Sequence, residues 1–73
     1  MNKKEFQKID DLLNELSPYI SARALARICG MSESQMLQYK GGFKQISPKN
    51  IARINERLHE FAAELSNFTL LGA

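Results

Sequence analysis

Seven cations, Arg23, Arg27, Lys40, Lys44, Lys49, Arg53 and Arg57, fall between Ala22 and Arg57, where only Glu33 and Glu56 oppose them, a local net of +5. The flanks offset this excess. Residues 1–21 set Lys3, Lys4 and Lys8 against Glu5, Asp10, Asp11 and Glu15, and residues 58–73 carry Glu60 and Glu64 without a Lys or Arg. The whole chain is therefore only +2, too little to attract a polyanion through its overall field, whereas the basic middle can hold one locally.

Other chemistries lack their parts. Catalysis needs a nucleophile beside a base, paired carboxylates in a pocket, or a glycine loop that cradles phosphate, and none of these patterns occurs, so no enzyme is expected. Gly41-Gly42 has neither a strand before it nor a lysine–serine pair after it at the required spacing. His59 has no cysteine or second histidine at ligand spacing, which predicts a surface histidine, no metal and no cofactor. Cys29 is the lone cysteine; without an internal partner it reads as a small buried hydrophobe.

These side chains need a scaffold, and 73 residues with 44% hydrophobic and 25% charged side chains suit one small globular domain spanning 1–73. No apolar run is long enough for a membrane span, and MNKKEFQKIDD lacks the apolar core of a signal peptide, so a cytoplasmic protein is expected. Phe6, Ile9, Leu13 and Leu16 recur at spacings of three, four and three, predicting an amphipathic helix from Lys3 to Leu16. Ser17-Pro18 should stop it, because a residue before proline is pushed out of the α region. A second helix then runs from near Ser21 through SARALARIC, with Leu25, Ala26 and Cys29 on one face and Gly30 as its left-handed end.

Ser32-Glu33-Ser34-Gln35 is a capping box, so a third, short helix begins at Glu33, points Met36 and Tyr39 inward and ends at Gly41-Gly42. Ser47-Pro48 starts a fourth helix, about 48–66, with Ile51, Ile54, Leu58, Phe61, Leu65 and Phe68 as its apolar stripe. Laid along the shorter first stripe, it would leave Leu65 and Phe68 partly uncovered. Phe43 is expected as a loop anchor under this helix, with an apolar wedge toward DNA as the competing reading. Ile28 faces away from Leu25 and Cys29, toward a neighbouring helix or a partner.

Two short helices joined by about three residues including glycine form the helix-turn-helix unit, here about 22–40, whose second helix can enter a DNA major groove. Leu25-Ala26, Gly30-Met31-Ser32, Met36, Tyr39 and Gly42, followed by a lysine-bearing loop and the Ser47 helix start, resemble the lambda-repressor-like (phage repressor and Cro-type) helix-turn-helix domains. The resemblance covers about Ser21 to Leu58. More narrowly, QYKGGFKQISPKNIARINERLHEFAAEL resembles small bacterial helix-turn-helix and antitoxin-type domains. One departure is that the family usually has proline before the serine, where Ile46 stands, with Pro48 after it instead.

The resemblance implies an all-α, four- to five-helix bundle. It also implies that Glu33, Ser34, Leu37 and Gln38 read base edges, and that Arg23, Ser32, Lys40, Lys44 and Lys49 hold phosphates, with Arg27 and Arg53 in lesser roles. The chemistry suits those roles: Gln38 can pair bidentately with adenine, Glu33 can accept from cytosine N4, Ser34 can serve either base type, and Leu37 can touch a thymine methyl. The expected function is sequence-specific double-stranded DNA binding by a small transcriptional regulator, full length or a domain of a longer one. A homodimer is expected through the surplus apolar residues Leu65, Phe68, Leu70 and Leu71. The competing expectation is a protein-interaction module, antitoxin-like or adaptor, that uses this apolar face to engage a protein partner.

Overall fold

The computed structural model describes residues 3–72, which form four helices: α1 (Ile9–Leu16), α2 (Ala22–Cys29), α3 (Glu33–Lys40) and α4 (Pro48–Leu65). Among the described residues the fold is all-α, and Phe68–Leu71 form no strand.

Serine hydroxyls start three of the helices, each filling one of the backbone donors that a helix N-terminus leaves open. Ser21 Oγ accepts from the Ala24 N–H at 3.1 Å, Ser32 Oγ from the Gln35 N–H at 3.1 Å and Ser47 Oγ from the Asn50 N–H at 3.2 Å. The expected capping box is only half formed. The Gln35 side chain turns away from Ser32 and donates to the Tyr39 hydroxyl at 3.2 Å, one turn further on.

α1 is shorter than its sequence pattern. Residues 3–8 are not helical, because Lys8 occupies the N-cap in an extended conformation and has no side-chain oxygen to accept an open N–H. Asp10 and Asp11 then fall in the first turn, where the helix dipole favours them. Ser17 also departs from expectation, since it keeps α-helical dihedrals before Pro18. The Tyr19 and Ile20 amides both donate to the Leu16 carbonyl, at 2.9 and 2.8 Å, and hold that last turn closed.

α2 and α3 end alike. At α2, the Met31 N–H donates to the Ala26 carbonyl at 2.8 Å and the Gly30 N–H to the Arg27 carbonyl at 3.3 Å, the paired bonds of a Schellman motif. At α3, Phe43 bonds Gln38 and Gly42 bonds Tyr39 in the same way, at 3.0 and 3.1 Å. The left-handed positions are Gly30 (φ 68°) and Gly42 (φ 75°), a region that costs any other L-residue roughly 1–2 kcal/mol. At Gly30 a methyl group would also sit 3.2 Å from an Arg53 guanidinium nitrogen. Gly30→Ala should therefore destabilise the domain by about 1–2 kcal/mol and lower Tm by about 4–16 °C, read from a thermal melt. An unchanged Tm would show that the α2–α3 corner tolerates a side chain.

The core draws on every helix: Leu13, then Leu25, Ala26 and Cys29, then Met36 and Tyr39, then Ile54. α2 packs on α3, α1 on α3 and α4 on α2. α1 and α4 do not close along each other. Phe6, Ile9, Leu12, Ile46, Ile51 and Ile54 instead line an open apolar cleft between them. Of the fourth stripe only Ile54 is buried, Leu58 and Phe61 are half-buried, and Ile51 is 45% exposed at the cleft mouth. Residues 62–72 are all exposed, so the C-terminal end of α4 projects from a molecule measuring 48 × 27 × 22 Å.

Candidate nucleic-acid interface

α3 has two unlike faces. Met36 and Tyr39 are buried against α1 and α2, and an eight-residue helix turning 100° per residue must then direct Glu33, Ser34, Leu37 and Gln38 the other way. All four are exposed, and together they form a contiguous patch beginning at the capped N-terminus. The patch combines a carboxylate, a hydroxyl and an amide around one apolar side chain, Leu37, which is 51% exposed. It therefore carries donors, acceptors and an apolar contact on one rod of width suited to a DNA major groove.

The close approach that sets α3 on α2 depends on small and buried residues at the crossing. Ala26 is 3% exposed and Cys29 fully covered, and burial pushes the Cys29 thiol above its ordinary pKa, against a smaller downward pull from Arg53 and Arg57. That thiol is a packing group. Arg53 itself reaches back from α4, and its guanidinium donates to the Gly30 carbonyl at 3.0 Å, fixing the α2–α3 turn to α4. Sequence spacing gives no sign of this bond, which joins residues 23 apart.

Tyr39 makes the second tie to α4. Its hydroxyl oxygen accepts from Gln35 Nε2 at 3.2 Å and from Asn50 Nδ2 at 3.3 Å, so α3 is locked to the start of α4 by one phenol. Asn50 also provides the N–H that Ser47 caps. Lys44 Nζ lies 6.0 Å from the Tyr39 ring centroid, at the outer range of a cation–π contact.

The expected phosphate-holding residues divide into two groups. Arg23 in the first turn of α2, Ser32 at the α3 cap, Lys44 in the loop and Lys49 in the first turn of α4 are exposed. Lys40 is half-buried, and its ammonium donates to Ser17 Oγ at 3.1 Å, holding α3 to the α1–α2 corner. Phe43 does not anchor the loop under α4, as it is 86% exposed. The tight turn of Gly41-Gly42 folds its ring over Gly41, where an added methyl group would meet it. Leu65, Phe68, Leu70 and Leu71 are exposed on the projecting C-terminal arm, and Ile28 is half-buried. No described helix is long and apolar enough to cross a membrane. Set against known protein families, curated proteins and solved structures, the chain matches none.

Proposed function

We propose that the chain binds double-stranded DNA through α2 and α3 acting as a helix-turn-helix of the lambda-repressor-like kind, and serves as a small transcriptional regulator. The observation that carries this reading is the α3 patch. Glu33, Ser34, Leu37 and Gln38 stand exposed on a short helix whose opposite face is buried and whose ends are tied down by Ser32, Gly42 and Tyr39. A helix held this rigidly can carry these side chains to base edges without ordering new backbone on binding.

Arg23, Lys44 and Lys49 would contact phosphates on either side of the patch, helped by the Ser32 hydroxyl and the amides of the capped helix starts. Lys40 serves the same role only after leaving Ser17. Phe43, free beside Lys44, supplies an apolar contact to the groove wall. Two copies reading half-sites about one helical turn apart, roughly 34 Å, would account for useful affinity from so small a surface.

The protein-interaction alternative draws on a different observation, the exposed apolar arm at Leu65, Phe68, Leu70 and Leu71. A salt titration with random-sequence duplex separates the two. DNA binding predicts that log affinity falls linearly with log salt, with a slope set by roughly four to eight neutralised phosphates per pair of chains. No binding at low salt by folded protein would exclude the DNA reading and leave the arm as the working surface.

A further inference from the structure

The cleft between α1 and α4 and the arm that α4 extends beyond the core are complementary in chemistry and charge. The cleft is apolar at its floor, with Phe6, Ile9, Leu12, Ile46, Ile51 and Ile54 around it, and it continues past Leu58 along a second hollow bordered by Lys3, Lys4 and Glu5. The arm presents Leu65 on the helical stripe that carries Ile51 and Leu58, and Phe68 just past the turn that ends α4, flanked by Glu60 and Glu64 and by no Lys or Arg from residue 58 on. One surface is an apolar groove whose rim carries Lys3, Lys4 and Lys8 against Glu5. The other is an acidic-flanked apolar ridge.

The arm does not fill its own cleft. Ile51 and Leu65 are 14 positions apart on α4, about 21 Å at helical rise, Phe68 follows the turn that ends the helix, and residues 62–72 are all exposed, Leu70 at 98% and Leu71 at 88%. Leu70 and Leu71 therefore leave the groove open. We propose that the occupant is a second copy of this chain, with two α4 helices antiparallel about a two-fold axis near His59-Glu60, so that Phe68 of each copy enters the other's cleft beside Ile51.

Antiparallel pairing makes both contacts at once, because the separation of ridge and groove is the same in each chain. This closes the assembly at two and leaves no open end. It puts the half-buried Leu58 and Phe61 at the centre of the seam and brings Glu60 and Glu64 toward the lysine-bearing N-terminal segment of the partner. Lys4 would exchange its exposed 3.0 Å ion pair with Glu15 for a shared arrangement across the interface. The exposed portions of Phe6, Ile51, Leu58, Phe61, Leu65 and Phe68 offer on the order of 500 Å² per copy. A pair then covers on the order of 1,000 Å², enough for a specific interface of the smaller kind.

The inference deepens the two-copy part of the proposed function but is tested without DNA, so failure of either reading leaves the other measurable. The experiment is light-scattering mass of the full chain, with far-UV circular dichroism confirming helix content. Wild type should run as two chains at about 100 µM, and Phe68→Lys and Ile51→Glu should each run as single chains, weakened about a hundredfold by placing a charge in the apolar contact. An equimolar mixture should recover 1:1 pairs, since it restores one native Phe68–cleft contact and makes the other a lysine–glutamate contact. Phe68→Lys alone remains decisive if Ile51→Glu does not fold, because residue 68 lies outside the core. A monomeric wild type, a dimer indifferent to Phe68→Lys, or folded variants that stay apart when mixed would each overturn the proposal, as would a folded Ile51→Glu that still runs as two chains, which would indicate arms that pair with each other.

Discussion

Tyr39→Ala is expected to remove about 3–5 kcal/mol of stability, the usual cost of deleting a buried aromatic side chain. A domain of this size has a total of only about 4–11 kcal/mol to lose, so much of the population should be unfolded near physiological temperature. Tyr39 is 1% exposed at the meeting of α1, α2 and α3, and its hydroxyl reaches α4 through Asn50. Packing and hydrogen bonding can be told apart with Tyr39→Phe. That substitution keeps the ring but removes the oxygen that Gln35 and Asn50 share, and should cost about 1–2 kcal/mol. Urea unfolding followed by circular dichroism reads both. Equal costs for the two variants would place the value of Tyr39 in its hydroxyl, while a small cost for both would remove it from the core.

The second large effect concerns binding. Gln38→Ala combined with Lys44→Ala should lower affinity for a selected DNA site by about a hundredfold or more. An amide that reads adenine bidentately contributes about 1–3 kcal/mol, and deleting a lysine that neutralises one phosphate reduces the salt slope by about one. Both side chains are exposed, so helix content and urea midpoint should stay within error of wild type. The singles refine the assignment: Gln38→Ala should relax preference at one base pair, whereas Lys44→Ala should weaken all sequences alike. Unchanged affinity in the folded double variant would remove α3 and its following loop from the proposed DNA interface.

Much of the scaffold is legible in the sequence because its signals are local. Ser21, Ser32 and Ser47 announce helix starts through residue type alone, and each hydroxyl does accept the amide three residues on. Gly30 marks its turn because almost only glycine adopts a positive φ without cost. Leu25, Ala26, Cys29, Met36 and Tyr39 share faces by helical spacing, and all five are buried. The outer patch on α3 follows as the complement of that buried face.

The features that local patterns conceal depend on distant partners. Phe6 lies three residues before Ile9, a spacing that suits a longer α1, yet the chain there is uncapped and Phe6 lines the cleft beside α4. Gln35 completes a capping-box pattern, but the Tyr39 hydroxyl competes for its amide and wins it. Phe43 reads as an anchor because aromatic side chains usually find cover, whereas the Gly42 turn sends it outward. The bonds from Arg53 to Gly30 and from Lys40 to Ser17 each bridge 23 residues, and no local rule foretells them.

The unequal coverage of α4 along its length divides the helix into two dynamic regimes. Near Ile54 its amides can exchange with solvent only when the shared core of all four helices opens, which ties them to global unfolding. From Ala62 to Leu65 each turn is held by its own hydrogen bonds alone and frays in small, independent openings. One continuous helix thus contains a rigid lever and a loose end. Anything that settles on the loose end lengthens the lever, and protein concentration becomes a control on how far order extends along the chain.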